Sequence, residues 1–209
     1  MSRAQGPRLL RAADRNATAW KNGGGITREI AAWPEGAGTA DFAWRVSLAE
    51  VAADGPFSAF PGVDRTLTLA EGAGMDLAVA GARRLVDERF APQDFAGDEP
   101  TDCRLLDGPV VNFNVMYRRG AATAETAVVR GGLTLGAPAG ETLLVVALEG
   151  PAVLEAPGSP VVALDPYDAV LAAGPFTGLV RTSGRAAVVR LRRAPARPGP
   201  GSAERRRSG

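Results

Sequence analysis

Short apolar runs, separated by glycine, proline and Glu-Gly pairs, recur along the whole chain, and almost nothing carries the three-to-four-residue spacing of a long amphipathic helix. The runs predict strands over Thr27 to Ala31, Trp44 to Val51, Thr66 to Ala70, Asp76 to Ala80, Val110 to Tyr117, Thr142 to Leu148, Ala152 to Glu155, Ala169 to Ala172 and Ala186 to Arg192. Leu9 to Ala13 reads as a further strand, and Ala121 to Val129 fits either a strand or a short helix. Strands at this spacing build sandwiches or barrels. An internal echo points the same way: TLTLAEG before AGMDLAVAG resembles VVALEG before PAVLEAPG, with Gly72 and Gly150 in equivalent places. Either two related β units share the chain, or a common turn occurs twice.

Composition narrows the functions. The chain has 209 residues, enough for one large domain or two small ones. Its net charge of +1 argues against electrostatic capture of nucleic acid or an anionic membrane. Histidine is absent, so the chain alone can build no Ser-His-Asp triad, Cys-His pair or histidine-bound metal site. A single cysteine, Cys103, rules out an internal disulfide and a thiolate cluster, which suits a reducing cytoplasm. The longest aliphatic run, Leu143 to Leu148, is far shorter than the ~18 residues of a membrane span, and the start has no signal-like apolar region; a soluble, cytoplasmic protein is expected. From about Pro195 to Gly209 the chain is arginine, proline, glycine and serine, read as a disordered, solvated tail.

Polar residues gather where core patterning does not require them, between Trp20 and Arg65. WKNGGGITREIA holds three consecutive glycines, Gly23 to Gly25, which serve either a tight turn or a cradle of bare backbone N–H groups. Lys21 is the one lysine among 24 basic residues, a bias that fits a need for an amine at that position. In FAWRVSLAEV, alternation puts Trp44, Val46 and Leu48 on one face and Arg45 and Ser47 on the other. That second face points either into a lumen or into water. DGPFSAFPGVDRTLTL adds Phe57 and Phe60 as walls and Arg65 as a guanidinium whose planar fork suits a carboxylate; Asp64 fits a cap or an ion pair. In NFNVMYRRG, Asn112, Asn114 and Met116 share one face.

In order and spacing, WKNGGGITREI, WRVSLAEVAADGPFSAFPGVDRTLTL and NFNVMYRRG resemble the HutD/Ves family, across about Trp20 to Gly120. The resemblance implies an all-β, cupin-like (RmlC-like jelly roll) bicupin, two β-barrel halves in one chain: residues 1–120 with the ligand pocket, residues 121–194 as the second half, and the tail at 195–209. It implies a link to bacterial histidine utilisation, in which HutD proteins restrain pathway activity by binding an intermediate such as urocanate or formiminoglutamate. Carried onto this chain, the ligand-binding positions are Lys21, Asn22, Thr27, Glu29, Arg45, Ser47, Arg65 and Asn114, with Phe57 against the apolar part of the ligand. Under the resemblance, Arg45 and Ser47 face the lumen. Asn112 stands where an acidic residue is expected before Phe113, which weakens any role needing a carboxylate there.

The leading expectation is therefore a metal-free small-molecule-binding protein without cofactor. Arg45 and Arg65 hold a carboxylate, Lys21 adds charge, and the amides and hydroxyls fix polar atoms. The alternative is a cupin-type isomerase or hydrolase using Lys21 or Glu29 as acid or base, and a structural module remains a third reading. Exposed strand edges make a homodimer the oligomer to look for; neither nucleic acid nor membrane is expected as a partner.

Overall fold

The structure is a computed structural model that describes residues 6–194; the expected tail lies outside the described residues. Seventeen strands and one 3₁₀ turn, Ala12–Asp14, make up its regular structure. A six-stranded sheet runs β2 (Ala17–Ala19), β3 (Gly25–Trp33), β4 (Trp44–Val51), β11 (Val110–Arg118), β6 (Val63–Glu71) and β9 (Pro92–Ala96). A four-stranded sheet follows the order β5 (Gly55–Phe57), β10 (Thr101–Leu105), β7 (Met75–Val79) and β8 (Ala82–Val86). The third sheet runs β1 (Arg8–Leu10), β16 (Ala169–Ala173), β13 (Glu141–Glu149), β17 (Phe176–Arg193), β14 (Ala152–Glu155) and β15 (Val162–Leu164), with β12 (Ala122–Ala137) also paired to β17.

Alternation along the central strands explains the layering. Trp44, Val46 and Leu48 of β4 and Phe113 and Val115 of β11 leave the six-stranded sheet on one side. There they meet Leu144, Val146, Leu148, Val189 and Leu191 of the third sheet. From the opposite side, Val51, Leu67, Leu69, Phe95 and Val110 pack on Met75, Leu77, Val79 and Val86 of the four-stranded sheet. Leu143, Val145 and Ala147, the other face of β13, enter a separate core with Leu135, Leu154, Leu164, Val180 and Val188. The run TLLVVAL is thus apolar at nearly every position because both faces of its strand are covered.

The Glu-Gly echo falls at real turns. Gly72 and Gly150 both have positive φ, 97° and 65°, which a side chain rarely adopts, and each turns its chain from a long central strand into a shorter one. Of the segment Ala121 to Val129, everything from Ala122 onward is strand. At the N-terminus, β1 joins the third sheet through β16 rather than the sheet that follows it in sequence. One carboxylate ties this crossing down: buried Asp168 accepts from Arg11 Nη1 at 2.6 Å, Ala12 N–H at 2.7 Å and Asp165 N–H at 3.2 Å.

Burial alone would raise the Asp168 pKa, but the hydrogen bonds from Ala12, Arg11 and Asp165 outweigh it and hold the carboxyl below its ordinary 3.8. The depressed folded value means this stabilisation is complete well above pH 3.8 and is lost as pH falls through the folded pKa. Asp168→Ala should destabilise the protein by about 2–4 kcal/mol in urea denaturation at neutral pH and flatten the acid limb of the stability profile. An unchanged midpoint would show that β1 is held by its backbone ladder alone.

Candidate functional site

The face of the six-stranded sheet that looks toward the four-stranded sheet carries a polar band inside an otherwise apolar layer. Glu29, Ser47, Asn114 and Leu67 stand side by side across four strands. In the next row on the same face are Ala32, Arg45, Met116, Arg65 and Phe95. A register shift between Glu29 and Ala31 keeps Glu29 on this face while Ile30 and Ala31 both enter the middle layer. Arg45 and Ser47 accordingly point inward, away from the Trp44 side.

Arg65 dominates the site. Only 8% of it is exposed, and among the described residues no carboxylate lies within ion-pair distance. Its guanidinium lies against three aromatic rings, Phe95 at 5.1 Å, Phe57 at 5.4 Å and Phe60 at 6.0 Å from the centroids. Nη2 donates to Asn114 Oδ1 at 3.3 Å, and the buried Nε has no acceptor. Burial pushes its pKa down to about 10, so it still carries a proton at neutral pH. Ring faces offset about 0.5–2 kcal/mol each at best, against a penalty of several kcal/mol for burying a charge. A cation held this way is under-compensated.

Around it the floor is polar and buried. Ser47, Asn112 and Asn114 are all buried. Asn112 Nδ2 faces the Met75 sulfur at 3.8 Å, and Asn112 Oδ1 has no partner. The half-exposed rim consists of Thr27, Glu29, Arg45, Phe57 and Trp20. Trp20 Nε1 donates to Thr27 Oγ1 at 2.8 Å, and its ring meets Phe57 edge-on at 6.0 Å. Cys103 packs beneath, its thiol pushed up to about 12 by burial and by Asp54, which keeps it unreactive.

The geometry shows where the sequence-derived site residues lie. Arg45 is not a free carboxylate receptor: its Nε donates to Glu29 Oε2 at 2.7 Å, so each cancels the other's charge. Arg45 and Arg65 flank Met116 two strands apart on the same face, about 10 Å between backbones. Lys21 and Asn22 sit exposed on the turn between β2 and β3, outside the enclosed cluster. Asn22 Oδ1 accepts from Gly24 N–H at 3.1 Å, and Gly23 N–H donates to the Trp20 carbonyl at 3.0 Å. Two of the three glycine amides, those of Gly23 and Gly24, are therefore engaged within the turn itself. Asp64 pairs with Arg119 at 2.6 Å, on the surface. Two surface clefts, about 600 Å³ beside Trp33 and Trp44 and about 450 Å³ beside Thr134 and Glu155, contain none of the polar residues of the band.

Sequence reasoning missed Phe95, because QDF after a proline gives no strand signal, and Trp20, whose partner Thr27 is close only once the turn is formed. The residues do not suit a resident metal: the chain has no histidine, and the buried group is a cation.

Comparison with known proteins places the chain among relatives. The HutD family model matches residues 12–189. Protein Ves of Cronobacter sakazakii is 38% identical over 128 residues, 61% of this chain and 69% of that protein. An uncharacterized 21.2 kDa protein in the hutC 3′ region of Pseudomonas putida is 40% identical over 109 residues, covering 52% of this chain and 57% of that one. The structure of HutD from Pseudomonas fluorescens SBW25 superposes with a TM-score of 0.79 at 32% identity, covering 90% of this chain and 98% of that chain. More distant is salicylate 1,2-dioxygenase from Pseudoaminobacter salicylatoxidans, at 9% identity and a TM-score of 0.59 over 93% of this chain and 82% of that one. That likeness concerns the fold alone, which is cupin-like.

The turn that opens the site gives a contrast between neighbouring glycines. A Cβ on Gly25 would lie 2.3 Å from the Glu50 carbonyl oxygen, whereas one on Gly24 would meet the Asn22 side chain at 3.4 Å. Gly25→Ala should cost about 2 kcal/mol or more in chemical denaturation and Gly24→Ala less than about 1 kcal/mol. Equal losses would mean that β3 and β4 do not approach as described.

Proposed function

The chain belongs to the HutD family, and from that premise we propose that it is a metal-independent small-molecule-binding protein whose N-terminal β unit holds a carboxylate metabolite. The observation that carries this reading is Arg65: a buried, protonated guanidinium with an unused N–H and no carboxylate partner among the described residues. An organic acid entering beside it supplies the missing counter-charge and takes up Nε, while Asn114 and Ser47 offer further hydrogen bonds. Phe57, Phe60 and Phe95 supply apolar walls that suit a flat, unsaturated body. Arg45, already balanced by Glu29, acts at the rim, and Lys21 guides acids toward the entrance without contacting them.

The family is linked to the hut operon region, and this supports a regulatory role in histidine utilisation with urocanate or formiminoglutamate as the bound acid. Separate apolar cores on either side of a shared middle layer support a bicupin of two halves, residues 1–120 and 121–194, with β1 exchanged onto the second. The same reading has the protein in the cytoplasm, as a monomer or a homodimer through strand edges, with no nucleic-acid or membrane partner.

Titration calorimetry should give saturable heat with at least one of the two acids, the acid being recovered unchanged. Affinity should fall as pH rises through about 10, where Arg65 loses its proton. Arg65→Met should abolish the heat, and the ligand-free variant should melt at or above the parent, because a desolvated charge has gone. Arg119→Met, on the surface beside Asp64 and Asp98, should bind normally. Folded protein that takes up neither acid removes the assignment.

A further inference from the structure

The band contains a second unmatched atom of opposite character to the first. Asn112 is 1% exposed and lies on β11 two residues before Asn114, hence on the same face. Its amide nitrogen faces the Met75 sulfur, a weak acceptor, and its buried Oδ1 has no donor. A buried carbonyl without a donor forfeits the hydrogen bond that water would give it, a penalty that a leucine at this position would avoid. Another orphan, the Thr68 hydroxyl, belongs to the opposite face, since Thr68 pairs with Phe113, and plays no part here.

We propose that Asn112 is a specificity-determining residue that accepts a hydrogen bond from an N–H group of the bound acid. This rests on the carboxylate reading above and extends it, because the two orphans define complementary ends of one ligand. Arg65 reaches Asn114 with its guanidinium, so the anionic end sits level with Asn114. Asn112 lies two residues further along the strand, about 7 Å away. The ligand class is therefore a short carboxylic acid with an N–H donor at the end remote from its carboxylate, joined by a flat or slender spacer. An amide suits this place better than a carboxylate: it offers the acceptor without a negative charge beside an anion. The aromatic cage by itself would accept any flat acid of that length; Asn112 makes it selective.

Two isosteric probes separate the contributions. trans-3-(Imidazol-4-yl)acrylate, which is urocanate, and trans-cinnamate share an acrylate anion and a planar ring, but only the first carries a ring N–H. The parent protein should bind the imidazole acid about tenfold or more tightly than cinnamate, as sites built around a buried hydrogen bond do. Asn112→Leu should bring the two affinities within about twofold and raise the melting temperature of the ligand-free protein, which also verifies that it folds. Asn112→Asp keeps an acceptor and should retain the preference while weakening both acids. Equal affinities in the parent, or a preference that survives in Asn112→Leu, overturn the role of Asn112 and leave the Arg65 reading standing. Failure of both acids to bind the parent removes both.

Discussion

Side chains on a strand alternate, and the six-stranded sheet is covered on both sides, so each of its central strands must satisfy two interiors at once. Trp44, Val46 and Leu48 fill the layer shared with the third sheet, and the residues between them are committed to the space under the four-stranded sheet. A one-residue slip would exchange the two sets and put Arg45, Ser47, Asn112 and Asn114 into the apolar middle layer. The hydrophobic demand of one face thereby fixes the placement of polar groups on the other. The register shift near Ile30 belongs to the same constraint, since it lets β3 send two successive apolar residues to the middle layer and still aim Glu29 at Arg45.

Within that frame, the polar face divides into a balanced part and an unbalanced part. Glu29 and Arg45 neutralise one another at the half-exposed rim, where such a pair is worth little. Arg65 lies deeper, among three rings and one amide, with its charge unmatched. Proteins seldom leave a buried cation and a buried carbonyl unpaired on one face without a purpose, because each could be replaced by an apolar side chain at a gain in stability. Two buried carboxylates are met by donors instead: Asp168 receives three, and Glu141 is held by Arg190 at 2.6 Å and Arg192 at 2.7 Å.

Legibility followed burial. Trp44–Val51 and Ala152–Glu155 emerge with the bounds that the pattern predicts, since alternation or continuous apolarity marks strands with covered faces. Short peripheral strands escaped: Ala82–Val86 exposes four of its five residues, and Pro92–Ala96 opens on a proline. The long strand Phe176–Arg193 was read only from Ala186 onward because glycines interrupt its first part. At Gly184 a Cβ would lie 1.8 Å from the Glu149 carbonyl, so a residue that looks like a turn is in fact demanded by close strand approach. Among the site residues, Ser47, Arg65 and Asn114 prove enclosed together, while the turn residues Lys21 and Asn22 do not join them.

The sequence by itself determined an all-β chain, the two faces of its central strands, and the absence of imidazole chemistry, because composition and a two-residue period are local properties. Tertiary structure alone decided which arginine is neutralised. Arg45 and Arg65 look equivalent in the sequence, each an arginine near the start of a strand with acidic residues nearby. Their difference depends on which side chains the fold brings against each, the Glu29 carboxylate one register position away for Arg45, and Phe95 across the ladder together with Phe57 and Phe60 for Arg65, and contacts between residues far apart in the chain are set by register and packing rather than by spacing.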